Sequence, residues 1–297
     1  MIVATLALLL ALPPLVWMAA MFDRIGTGRG AILIGPLRNG AALLLRPNTP
    51  TEAPDRLNRL LAPGWYLALA LVGLSVVPLA PGVVGSNLST GLVLWGACEA
   101  LTVVVVFLHG WSPNAPLPLI GAYRYVAIAL PAMLLSMFVL IGAALPARSL
   151  SVVEVVEAQR EIWNVIRQPL GLPLFMALGL AITLRGPFDY ADGAELAGGT
   201  SAEESGPALA LWHFARAAML VAFSAMAATA FLGGHLGPVL PGPLWLLLKT
   251  LAVMAATVAA GRFFARMPPA RMLTFLWVVL LPLSFANLAL VGVEVLP

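Results

Sequence analysis

TGLVLWGACEALTVVVVFLH, residues 90–109, carries one carboxylate, Glu99, in a run long enough to cross a hydrocarbon core of roughly 30 Å as a single helix. Comparable runs of about 17 or more mostly apolar residues fall at about 2–21, 65–83, 123–145, 169–184, 208–231, 244–264 and 272–294. Together they predict an all-α, polytopic integral membrane protein with about eight transmembrane helices and both termini on one side. The polar connections are 22–64, the short 110–122, 146–168 and 185–207, so residues 1–297 read as a single membrane domain with little mass outside the bilayer.

Composition excludes other classes. The chain is 61% hydrophobic and 10% charged with a mean hydropathy of +0.98, against roughly 25% charged residues in soluble domains. Its net charge of +3 comes from arginines scattered over loops and span ends, with Lys249 the single lysine, which is no nucleic-acid footprint. One cysteine, Cys98, rules out disulfides, iron–sulfur clusters and cysteine-based zinc sites built by this chain alone. His109, His213 and His235 have no metal-binding spacing, so neither a metal nor a cofactor bound by this chain alone is expected. The first run lacks a basic leader and reads as a retained helix.

Arginine asymmetry predicts orientation. Arg24, Arg29, Arg38, Arg46, Arg56, Arg59, Arg185, Arg266 and Arg271 fall on one side, and Arg148, Arg160 and Arg167 on the other. The richer side is cytoplasmic by this rule, and both termini are non-cytoplasmic.

Two connections carry helical patterns of their own. In residues 31–46, Leu33, Ile34, Leu37, Ala41, Leu44 and Leu45 recur at helical spacing around Arg38 and Asn39, which predicts an amphipathic helix along the interface. Residues 151–168, SVVEVVEAQREIWNVIRQ, predict a second one, with Ser151 as N-cap and an apolar stripe through Val152, Val155, Val156, Ile162, Trp163 and Ile166. The densest acidic segment, RGPFDYADGAELAGGTSAEESG at 185–206, suits either a solvated loop or one folded back to line a wet cavity. Within the spans the candidate ionisable residues are Glu99, His213, Arg216 and Lys249. Such groups usually face protein or a water path; Glu99 could pair with Arg216, and Lys249, near a span end, could snorkel to the surface.

These marks resemble the subunit-1 (NuoH) family of respiratory complex I, which is homologous to the membrane anchor of group 4 energy-converting nickel–iron hydrogenases. EIWNVIRQPLG (161–171), TLRGPFD (183–189) and ELAGGTSAEESG (195–206) carry most of the resemblance. PLRNGAALLLR (36–46), APDRLNRLLAP (53–63), GWSPNAPLPLIGAYR (110–124), FLGG (231–234), LKT (248–250) and LLPLS (280–284) follow in register.

The resemblance implies a membrane-anchor subunit of a redox-driven ion-translocating oxidoreductase, not catalytic alone, that joins a peripheral electron-transfer arm to the membrane arm and helps form a quinone cavity at its interface with partners. It also implies hydrophilic partners carrying iron–sulfur clusters, antiporter-like membrane partners, and residence in the cell's inner (cytoplasmic) membrane. Matched to the family's motifs, Arg185, Asp189, Glu195 and Glu203 fall on the cavity loop, with Glu195 and Glu203 favoured over Glu204 and Asp192. Arg46 falls on a basic position of the first-loop helix, and Arg124 on the arginine at the start of the fourth span.

The chain departs from the pattern where the family has membrane glutamates, which fall here at Ile182, near Met133 and at Arg216. Asn39 and Ala42 replace an acidic and a basic residue, and the acidic loop is one residue shorter. Two further readings follow: the membrane subunit of a hydrogenase-like complex without quinone, and a structural subunit whose redox coupling is lost.

Overall fold

The computed structural model describes residues 2–28, 30–192 and 198–295. Helix α1 (Ile2–Gly26) leads into the short α2 (Gly35–Leu44), and α3 (Arg56–Ser75) follows. A ribbon of two short antiparallel strands, β1 (Pro78–Ala80) and β2 (Val83–Val84), links α3 to α4 (Gly91–Trp111). Then come α5 (Pro116–Ala144), the short α6 (Val152–Glu157) and α7 (Asn164–Arg167), α8 (Gly171–Ile182), α9 (Gly206–Phe231), α10 (Gly242–Phe263) and α11 (Ala270–Val295), the last containing a π-helical stretch at Phe275–Leu280. Among the described residues, seven helices are long and apolar enough to cross a membrane: α1, α3, α4, α5, α9, α10 and α11.

The eighth expected span, 169–184, folds as the 12-residue α8. At 1.5 Å per residue it extends about 18 Å, short of the roughly 30 Å core. It is tolerated because it is buried in protein, where backbone ends find partners. Gly179 of α8 lies so close to Phe223 of α9 that a Cβ would sit 2.2 Å from the ring, and that ring stacks on Phe175 at 4.8 Å. Both phenylalanines are fully buried and have nowhere to retreat. Gly179→Val is expected to destabilise the folded chain by about 1–3 kcal/mol through overpacking, measured as a lower thermal midpoint in detergent.

The core is organised around α9. Every residue from Ala218 to Phe231 is buried, as expected for a helix that is apolar on all sides and surrounded by others. Its alanines let neighbours approach closely; α3, α10, α1 and α8 pack on it, and α4 bridges α3 to α5. Helix α3 begins at Arg56, well before the expected span, because the Asp55 carboxylate caps it, accepting from the backbone N–H groups of Leu57 and Asn58 at 3.1 Å each.

The predicted interfacial helix over 31–46 is present as α2, with Leu37, Leu44 and Leu45 exposed. The helix predicted over 151–168 is broken into α6 and α7, and the Ser151 hydroxyl makes no capping bond. Three buried amides account for the break. Gln159 accepts from the N–H groups of Asn164 (3.2 Å) and Gly233 (2.9 Å) and donates to the Thr229 carbonyl (3.0 Å). Asn164 donates to the carbonyls of Ala143 (3.0 Å) and Ala230 (2.9 Å), and Gln168 accepts from Asn287 (3.0 Å). The segment therefore turns inward and clamps the ends of α5 and α9, whose buried carbonyls need partners, while Gln168 meets Asn287 within α11.

Candidate functional site

A cavity of about 860 Å³ opens where the C-terminal end of α1, helix α2, the N-terminal half of α9, the C-terminal end of α10 and the α8–α9 connection converge. Its lining is partly apolar, with Val16, Ala20, Leu43, Leu211, Phe214 and Val258 among its residues. The same helices and the α8–α9 connection also contribute Asp23, Arg24, Arg185, Asp189, His213, Arg216 and Arg262.

The charges are paired in a definite way. Arg185 makes a two-pronged contact with Asp23, 2.5 Å and 2.8 Å between their nitrogens and oxygens. Arg262 approaches the same carboxylate at 3.6 Å and donates to the Asp23 carbonyl at 2.9 Å, so two guanidinium groups share one acid. Asp189 is held by Arg266 through two bonds of 2.8 Å. Such forked pairs fix orientation as well as charge.

Behind this layer Arg216 pairs with Asp192 and donates to the carbonyls of Thr183 (3.0 Å) and Leu184 (2.8 Å), which end α8. Asp192 also accepts from the hydroxyls of Thr200 (2.9 Å) and Ser201 (2.6 Å). Burial opposes ionisation of the Asp192 carboxyl, but the Arg216 guanidinium and the Ser201 and Thr200 hydroxyls hold it below its ordinary value. Farther along the α8–α9 connection, Glu204 is buried and takes three bonds of 3.0–3.1 Å from Arg59, which also reaches Asn48 at 2.7 Å.

The connection that carries these groups packs tightly on α5. A Cβ on Gly121 would lie 2.5 Å from the Thr200 nitrogen and 2.6 Å from the Ala191 carbonyl oxygen. Gly198 adopts φ +90°, a conformation L side chains rarely reach. Arg124 secures the same connection, donating to the Gly198 carbonyl at 3.3 Å and lying over the Tyr190 ring at 4.6 Å.

Of the residues singled out from sequence, Arg185, Asp189, His213 and Arg216 meet in one cavity, and Arg124 braces its wall. Arg46 and Glu203 are exposed at the surface, while Glu195 lies outside the described residues. The suggested pair of Glu99 and Arg216 does not form: Glu99 bonds Trp95 and Ser136 in the α4–α5 interface, and Arg216 is engaged by Asp192.

Lys249 does not snorkel. It turns inward to the carbonyls of Leu232 (2.6 Å), Gly234 (3.1 Å) and Leu236 (2.6 Å), with the Trp163 ring at 4.3 Å. The three carbonyls left free after α9 outbid the surface for its ammonium group. Asp23 and Arg262 line the cavity without having been singled out from sequence, while Asp192, Arg59 and Glu204 form ion pairs outside its lining. The signal for Asp23 and Arg262 was their place at the ends of two spans on the side that carries Arg185.

Fold and site together define a class: a polytopic helical membrane protein with a charge-lined cavity at one face. Comparison with known proteins agrees with that class. The profile of the family described as NADH dehydrogenase matches residues 1–292. The second H-type subunit of NADH-quinone oxidoreductase from Rhodopseudomonas palustris (strain ATCC BAA-98 / CGA009) is 35% identical over 254 residues, covering 85% of this chain and 80% of that protein. The first H-type subunit of the same oxidoreductase from Rhodopseudomonas palustris (strain BisB5) is 32% identical over 280 residues, covering 92% and 86%. The second H-type subunit from Rhizobium meliloti (strain 1021) is 33% identical over 309 residues, covering 97% and 94%. The chain belongs to the NADH dehydrogenase family, as a relative of the H-type subunits of NADH-quinone oxidoreductase.

Proposed function

We propose that this chain is the membrane-anchor subunit of a redox-driven, ion-translocating NADH–quinone oxidoreductase, joining the electron-transfer arm to the membrane arm. The observation that carries the reading is the cavity of about 860 Å³ lined by both apolar and charged side chains, on a chain whose relatives are named as NADH-quinone oxidoreductase subunits of the H type. A quinone is an amphiphile with a polar ring and an apolar tail, and the cavity falls in the usual range for small-ligand sites, about 300–1,000 Å³. Quinone enters as substrate, at an interface completed by partners. Iron–sulfur clusters belong to hydrophilic partner subunits above the cavity face, and antiporter-like subunits flank the chain in the bilayer. On this reading the cavity face is cytoplasmic, and α8, short but packed among the seven longer helices, carries the chain back across, so that both termini are non-cytoplasmic, in the cell's inner membrane.

Arg185 and Asp189 would orient the ligand's polar end, supported by Asp23, Arg262 and Arg266. Neither alternative gains from the comparisons, since the relatives named above are all NADH-quinone oxidoreductase subunits. The test is isolation of the tagged chain from its native membrane in mild detergent. The expected result is co-purification with an iron–sulfur-bearing soluble arm and NADH-driven reduction of a short-chain quinone. An assembly that evolves hydrogen and does not reduce quinone, or a chain active alone, would contradict the proposal.

A further inference from the structure

Helix α4 turns Trp95, Glu99, Thr102 and His109 into the protein, away from lipid. Glu99 is 2% exposed, and both its carboxyl oxygens are engaged. The Trp95 indole, one turn earlier on α4, donates to Oε1, and the Ser136 hydroxyl of α5 donates to Oε2 at 2.7 Å. Both partners are neutral, and among the described residues no ion pair includes Glu99. The paired carboxylates of the cavity, Asp23 and Asp189, have arginines by contrast.

The next turn of α4 extends the polar contact toward the cavity side. The Thr102 hydroxyl donates to the Glu99 carbonyl at 2.6 Å and lies 3.2 Å from the Tyr125 hydroxyl of α5. Tyr125 follows Arg124, whose guanidinium meets the cavity connection at Gly198 and Tyr190. Polar groups thus run from Glu99 through Thr102 to Tyr125 within the α4–α5 interface.

We propose that Glu99 is a proton-holding station within the membrane, serving ion translocation by the assembled complex. The inference rests on the function proposed above. The step is proton transfer alone: the Glu99 O–H bond breaks, its proton passes to a water oxygen in the interface, and the carboxylate later takes a proton from water on the opposite side. No electron is exchanged. With only neutral donors around it, an ionised Glu99 is costly until positive charge approaches, which ties proton release to events elsewhere in the complex.

The alternative is a purely structural contact between α4 and α5, and the experiment separates the two. The purified complex is reconstituted into liposomes, with NADH–quinone electron transfer and proton uptake recorded together. Wild type that does not transfer electrons to quinone defeats the functional reading itself; the behaviour of variants relative to an active wild type judges Glu99.

Glu99→Gln keeps the size and can still meet Trp95 and Ser136. It is expected to assemble and, with electron transfer continuing, to lose most of its proton uptake per electron. The exchange Glu99→Ser with Ser136→Glu moves the carboxyl across the same hydrogen bond and is expected to restore much of the uptake. Wild-type uptake by Glu99→Gln overturns the proposal. If Glu99→Gln does not assemble, Ser136→Ala decides: it leaves the carboxyl and removes one donor. A changed pH profile of uptake with electron transfer retained supports the station, and an unchanged profile overturns it.

Discussion

Arg216→Met is expected to prevent assembly of a stable chain, or to lower its stability by about 3–5 kcal/mol, the usual cost of removing one member of a buried ion pair. The Arg216 and Asp192 side chains are 19% and 8% exposed, so solvent screens the pair only weakly. Without the guanidinium, Asp192 keeps the Thr200 and Ser201 hydroxyls but no countercharge, and the carbonyls of Thr183 and Leu184 lose their donor. Asp192→Asn combined with Arg216→Gln removes both charges together and is expected to recover most of the loss. The remainder reflects the two carbonyls. Thermal unfolding of the purified complex, with the single and double variants in parallel, measures both quantities.

The same pair sets a pH dependence. The Asp192 carboxyl is held below its ordinary value, against the pull of burial, chiefly by Arg216. Its contribution is therefore fully present above the ordinary aspartate pKa of about 3.9 and is lost only as pH falls through the lower folded-state value. Between about pH 5 and 8 this pair contributes no pH dependence to stability.

How far the sequence could be read varies with the range of the interactions. Seven spanning helices and α2 were legible because uninterrupted apolar length and helical spacing are local properties. The length of α8 was not: an apolar run shows what could cross a bilayer, while Gly179 against Phe223 and the clamp at Asn164 decide where the helix sits and ends. The inward turn of Lys249 depends on carbonyls at Leu232, Gly234 and Leu236 converging after α9. That convergence rests on positive φ at Gly233 (71°) and Gly234 (50°).

Glu203 and Glu204 show the same limit at the site. Adjacent acids in one loop are indistinguishable by composition, and the family pattern favoured Glu203. Arg59, 145 positions earlier on α3, selects Glu204 for the buried pair and leaves Glu203 exposed. The replacement of a family glutamate at Arg216 looked from sequence like a loss of charge chemistry. In three dimensions it is answered by Asp192, so one buried ion pair stands where the pattern has a carboxylate. A charge reversal read alone thus misstates the site, because the compensating residue lies in a connection whose path sequence does not specify.

At the cavity the corresponding weak point is Asp23, the single acid shared by Arg185 and Arg262. Asp23→Asn keeps the side-chain size and its oxygen acceptor, and removes the charge that lets two guanidinium groups stand together. The arginines, 19% and 36% exposed at their side chains, can relieve their repulsion by swinging into the cavity, so assembly should survive with a small loss of stability. What they then occupy is the space in which a polar ligand end would be oriented by Arg185 and Asp189. Misplacement by about 1 Å at such a site can cost on the order of 10²-fold in rate, and quinone reduction is expected to fall by that order. Electron transfer from NADH to a hydrophilic acceptor that draws on the soluble arm should stay at wild-type level, which separates a cavity defect from a lost arm. Asp23→Glu retains the charge and should recover a substantial part of the activity. Equal quinone turnover by wild type and Asp23→Asn, in complexes assembled to the same extent, would mean that this charge-paired wall does not position the substrate.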